Sequence, residues 1–86
     1  MEATEGTVRV RLFARYAELL GCDAVTLTVM LPTTVGDVVA QLRRSYPAAA
    51  TLPERPLTAV NLMHVRLESP LRDGDELALL PPMAGG

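Results

Sequence analysis

The chain has 86 residues, 49% of them hydrophobic, a length that allows one small domain with a single core and no second one. Ten acidic residues against eight basic ones, all arginine and all scattered, give a net charge of −2 and exclude the basic patch that a nucleic-acid backbone requires. One cysteine excludes an internal disulfide, and the lack of a spanning apolar run or a secretory signal argues against a membrane and for a cytoplasmic site.

Residues 1–7 are polar and include Gly6, which predicts a flexible N-terminal leader. From Val8 the chain alternates. Val8, Val10 and Leu12 fall on one face and Arg9, Arg11 and Phe13 on the other, the period of a half-buried strand. Phe13, the only phenylalanine, lies on the arginine side, where it is either a covered strand end or a contact residue. Residues 14–20 are good helix formers closed by Gly21, which predicts a short helix with a glycine cap. Val25, Leu27 and Val29 then alternate with Thr26, Thr28 and Met30 in a second strand. Cys22, ahead of it, has only Asp23 beside it and no activating base or cation, so no chemistry is assigned to it.

Pro32 breaks that strand, and Thr34 followed three positions later by Asp37 imitates a capping box. Val35, Val38, Val39, Leu42 and Tyr46 recur at helical spacing while Asp37, Gln41, Arg43 and Arg44 face away, which predicts an amphipathic helix ending at or just before Pro47. Arg43 and Arg44 suit the dipole of its last turn. Residues 47–56 contain three prolines and no period, so a substantial loop is expected there. Residues 57–61 read as a strand, 62–64 as a turn and 65–67 as a short strand. His64 is the only histidine and has no cluster of further ligands, which leaves no metal site and a surface or partner contact. Asp73, Gly74 and Asp75 signal a tight turn rather than a calcium loop, because the other oxygen ligands are missing. Residues 76–80 form the last strand, with Leu77 and Leu79 on one face and Ala78 and Leu80 on the other.

Beyond it lie Pro81, Pro82, Met83, Ala84, Gly85 and Gly86. Two prolines prevent the strand from continuing and two glycines resist ordering, so residues 81–86 are expected to be an extended tail that leaves the domain. At roughly 3.3 Å per residue such a tail reaches about 20 Å, enough to enter another protein's active site. Its carboxylate is ionised at pH 7 and a poor electrophile, so reaction there requires activation, most simply as an acyl-adenylate. Glycines without Cβ pass a narrow channel that rejects bulkier residues.

The order strand, strand, helix, then two or three strands predicts an α+β fold in which a mixed sheet of four to five strands packs on one main helix. With LFARYAELLG early, PTTVGDVVAQL in the middle, AVN later and PLRDGDELALLPPMAGG at the end, the chain resembles the molybdopterin synthase small subunits, ubiquitin-like β-grasp sulfur carriers. The resemblance implies a β-grasp domain over residues 8–80. It also implies that Gly86 is adenylated by an E1-like adenylyltransferase using ATP and converted to a thiocarboxylate with sulfur from a donor protein. Gly86 then delivers that sulfur to cyclic pyranopterin monophosphate in the large subunit. Catalytic groups are then expected on the large subunit, the chain itself binds no cofactor, and the assembly is a heterotetramer with two small subunits. Phe13, His64 and Leu80 match the family's partner-binding surface, although His64 stands where a bulky apolar residue is usual. A carrier for thiamine, cysteine or tRNA thiolation is the alternative within sulfur transfer. A noncatalytic ubiquitin-like modifier or interaction domain is the alternative outside it.

Overall fold

A computed structural model describes residues 3–53 and 55–81. In chain order the elements are β1 (Thr4–Leu12), α1 (Arg15–Leu20), β2 (Ala24–Leu31), β3 (Thr33–Thr34), α2 (Val35–Ser45), a 3-10 helix (Pro47–Thr51), β4 (Leu57–Val60), β5 (Met63–Val65), β6 (Pro70–Leu71) and β7 (Glu76–Leu80). Five strands form one mixed sheet in the order β2-β1-β7-β4-β5, and β3 pairs with β6 in a separate two-stranded ribbon. The central strand β7 runs parallel to β1, and the other neighbours in the sheet are antiparallel. This is the α+β, β-grasp arrangement expected from the sequence.

The core lies between one face of the sheet and α2. Val8, Val10 and Leu12 of β1, Leu27 and Val29 of β2, and Leu77 and Leu79 of β7 meet Val35, Val38, Val39 and Leu42 of α2, all buried. The period of two in the strands and the 3.6-residue spacing of the helix thus converge on one apolar layer. The helix begins where its cap places it: Thr34 has extended backbone angles, and its hydroxyl accepts the Asp37 N–H at 3.2 Å. It ends before Pro47, as the sequence requires.

Three expectations need correction. Order begins at Thr4 rather than Val8, because Thr4, Glu5, Gly6 and Thr7 pair with β2 opposite Leu31, Met30, Val29 and Thr28. Gly6 is there for space rather than looseness, since a Cβ at that position would come within 2.7 Å of Leu31 Cδ1 and 3.0 Å of Asp73 Oδ1. Residues 47–56 are not wholly irregular either. The 3-10 helix buries Ala49, Leu52 follows it into the core, and Arg43 holds the segment by donating from Nε to the Leu52 carbonyl and from Nη2 to the Ala50 carbonyl. Finally, the second hairpin is tighter than expected. Val60 pairs with Met63 across Asn61 and Leu62, both at positive φ, so β5 begins at Met63 and His64 is a strand residue rather than part of a turn.

The aspartates after β6 act as turn chemistry. Asp75 Oδ2 accepts the Arg72 N–H at 2.8 Å, while Asp73 Oδ1 accepts the Thr7 N–H at 2.8 Å and ties the turn to β1. Asn61 joins the network by donating to Asp75 Oδ1 and accepting the Glu76 N–H, which sets the height at which β7 starts between its neighbours. The final strand is therefore fixed at its first residue as well as along both edges.

Candidate functional site

The face of the sheet turned away from α2 carries the sequence-predicted contact residues. Alternation with core neighbours places Arg9, Arg11, Ala78 and Leu80 there, and the strand pairing sets Leu57, Ala59 and His64 level with them. The register orders them into rows. Arg11 lies opposite Ala78, Ala78 opposite Ala59, and Ala59 opposite His64, so one row crosses four strands. Leu80 lies opposite Leu57 in the next row, at the end where β7 finishes. Phe13 follows the last β1–β7 pair, Leu12 with Leu79, so that continuing the register sets it level with Leu80.

Local backbone geometry holds Phe13 on this face. Ala14 has φ 51° and ψ −126°, an unusual conformation for a residue with a Cβ, and it turns the chain sharply between β1 and α1. The Phe13 carbonyl accepts the Tyr16 N–H at 3.0 Å, which closes the turn, and Tyr16 enters the core while Phe13 stays 38% exposed. The Arg11 guanidinium carbon lies 5.4 Å from the ring centroid, within cation–π range. Arg11 and Arg9 both reach Glu76, each at 3.8 Å. These are exposed pairs of modest energetic weight, so their value is in positioning.

The structure therefore brings Phe13, Leu80 and His64 to one face, with Phe13 and Leu80 at the end of the sheet nearest Pro81. His64 lies one row away on the edge strand. It also lines a groove of about 530 Å³, where β4 and β5 diverge past the Thr58–Val65 pair, together with Arg55, Leu57, Arg66 and Glu68. Sequence reasoning missed Leu57. It is 50% exposed and pairs with Leu80, so it widens the apolar end of the face. Its signal was present in the alternation of Leu57-Thr58-Ala59-Val60, but Thr58 looks like the outward residue. In the fold Thr58 points inward, 3% exposed, and its hydroxyl donates to the Val65 carbonyl at 2.9 Å.

Pro81 is half-buried, and the expected positions Pro82, Met83, Ala84, Gly85 and Gly86 lie outside the described residues. Cys22 is exposed and free, and among the described residues no three His, Cys, Asp or Glu side chains come together as a metal site. Among the described residues no helix is long and apolar enough to cross a membrane.

Comparison with known proteins gives this face a context. The model of the ThiS family matches residues 10–86. The molybdopterin synthase sulfur carrier subunit of Escherichia coli is 36% identical over 80 residues, covering 92% of this chain and 99% of that one. Among solved structures, SAMP1 from Haloferax volcanii superposes with a TM-score of 0.82 at 32% identity, over 94% of this chain and 100% of that one. A chain of the complex of subunits 1 and 2 of molybdopterin-converting factor from Helicobacter pylori shares the fold, with a TM-score of 0.66 at 22% identity over 93% of this chain and 99% of its own.

Proposed function

The chain belongs to the ThiS family, and we propose that it is the sulfur carrier subunit of a molybdopterin synthase. The observation that carries this reading is the likeness to the Escherichia coli sulfur carrier subunit over 92% of this chain and 99% of that one, and the family match runs to Gly86 beside it. The geometry supports it. The central strand β7 runs out at Leu80, so the chain leaves the sheet beside the exposed Phe13 and Leu57 and the half-buried Leu80.

In this role the body of the domain does no bond chemistry. An oxygen of the Gly86 carboxylate attacks the α-phosphorus of ATP in an E1-like enzyme, and pyrophosphate leaves. The outer sulfur of a persulfide on a donor protein then attacks the carbonyl carbon and AMP leaves, after which a second thiol attacks the donor's own sulfur in the resulting acyl disulfide, forming a disulfide and expelling the thiocarboxylate. Inside the large subunit the thiocarboxylate sulfur passes to cyclic pyranopterin monophosphate. A dithiolene holds two sulfur atoms, so two loaded carriers serve each product and two small subunits fit one assembly. The complex of subunits 1 and 2 from Helicobacter pylori supports a large-subunit partner. A cytoplasmic site accords with ATP as the activating substrate.

Phe13, Leu80 and, at the edge, His64 form the docking patch in this reading. Phe13 is 38% exposed and Leu80 half-buried, so covering what remains of either contributes less than the roughly 1.5–3 kcal/mol of a fully exposed side chain before association costs, and these two are the anchors. Phe13→Ala and Leu80→Asp are each expected to weaken the large-subunit complex about tenfold or more, with little change in melting temperature. Titration calorimetry and melting curves on the same samples check this, and unchanged affinity would remove the patch.

Mass spectrometry of the chain from sulfur-replete cells tests the function itself. The expected species is the intact chain with one oxygen replaced by sulfur at Gly86. Ladders of the chain attached to other proteins would instead indicate a protein modifier, and a tail found only as carboxylate would count against sulfur carriage.

A further inference from the structure

Where the β4–β5 ladder stops at the Thr58–Val65 pair, the groove of about 530 Å³ opens at the edge of the sheet. Register ties it to the docking patch. Leu80 lies opposite Leu57, and carrying the β4–β5 register one step past Val65 sets Arg66 level with Leu57. One row therefore runs from Phe13 through Leu80 and Leu57 to Arg66, apolar at three positions and cationic at the fourth. Leu57, 50% exposed, belongs both to the patch and to the lining of the groove.

Charge in the groove departs from that of the whole molecule. The chain carries a net −2, but the described lining has two arginines, Arg55 and Arg66, against the one carboxylate of Glu68. Arg55 lies 4.0 Å from that carboxylate. The Arg66 guanidinium is exposed and has no ion pair or hydrogen bond among the described residues. The Thr58 hydroxyl is no donor for a ligand, since it already donates to the Val65 carbonyl at 2.9 Å. An incoming anion is therefore left to Arg66. Leu57 and Leu67 in the same lining suit the aliphatic stem of an acidic side chain, and a planar guanidinium meets both oxygens of a carboxylate at once.

Resting on the sulfur-carrier reading, we infer that this groove is a second docking point for the large subunit, taking an aspartate or glutamate side chain that pairs with Arg66 beside the surface covering Leu80 and Leu57. The apolar row supplies contact area. Arg66 supplies direction, because a cation at one end of an apolar strip distinguishes the two ways in which a partner could lie along it.

The test titrates the wild-type chain, Arg66→Gln, Arg66→Glu and Arg44→Gln into purified large subunit of the same organism at low and high salt, with a melting curve for each. Arg44 is exposed on α2, the helix packed on the opposite face, so its loss changes the net charge equally but away from the groove. Arg66→Gln is expected to bind about tenfold more weakly at low salt and Arg66→Glu more weakly still, both with a flatter salt dependence and wild-type melting. Arg44→Gln is expected to stay within about twofold of wild type. Wild-type affinity in both Arg66 variants, or an equal loss in Arg44→Gln, overturns the groove contact. Arg66→Lys then locates the partner. The chain has no lysine of its own, so a carbodiimide can join the new side-chain amine to a carboxylate touching it. A cross-link to an aspartate or glutamate of the large subunit is expected, whereas a cross-link to a second copy of this chain, or none to the large subunit in the saturated complex, overturns the assignment. In each of these cases a wild-type chain that still binds leaves the sulfur-carrier reading standing. A wild-type chain with no affinity for the large subunit overturns that reading and the groove contact with it.

Discussion

Deletion of Gly86 is expected to abolish sulfur transfer and leave the melting temperature where it was. In the proposed role the Gly86 carboxyl group carries the sulfur, so removing one residue moves that group back by roughly 3.3–3.6 Å. Placement errors of about 1 Å already cost on the order of 100-fold when reacting groups must meet in a near-attack geometry. Stability is spared because the sheet and its core are complete at Leu80. Adding a residue after Gly86 is expected to have the same outcome, by moving the carboxyl group the other way. Reconstitution with purified large subunit, activating enzyme, sulfur donor and ATP provides the measurement. Product formation by the shortened chain at the wild-type rate would remove Gly86 from its role.

Leu77→Ala should show the opposite pattern, a large loss of stability. Leu77, the second residue of β7, is 0% exposed and lies opposite Val10 of β1 and Val60 of β4. Truncation there removes buried methyl groups where strands on both sides restrict collapse, at a cost of about 2–5 kcal/mol. A domain of this size has about 5–15 kcal/mol in total, so the variant loses a large share of it and melts at least about 10 °C lower. Denaturant titration with an unchanged slope would assign the loss to stability rather than to a change in the unfolded state. A loss below about 1 kcal/mol would mean that the layer between β7 and α2 is looser than its burial indicates.

Much of the fold was legible because its periods are clean. Val8-Arg9-Val10-Arg11-Leu12 alternates without exception, and the valines and leucine of α2 occupy one stripe, so sheet face and helix face could be matched before any coordinates. The same alternation put Phe13 and Leu80 outside. What stayed hidden depended on tertiary context. Gly6 reads as looseness in a sequence and as close packing only once Leu31 and Asp73 are beside it. Thr58 reads as a surface residue until the Val65 carbonyl is there to accept its hydroxyl, and that inversion concealed Leu57. The positive φ of Ala14 and Leu62 has no signature in residue type, so neither the sharp turn after Phe13 nor the tight β4–β5 hairpin could be placed.

The position of β7 also has a mechanical consequence. The last strand is hydrogen-bonded to β1 on one side and β4 on the other, so it is not an edge that can be peeled away one bond at a time. A pull on the chain end, by an enzyme threading it or a partner letting go, loads both ladders lengthwise and at once. The domain is anchored to its own working end through its strongest element, and repeated loading and unloading need not unravel it.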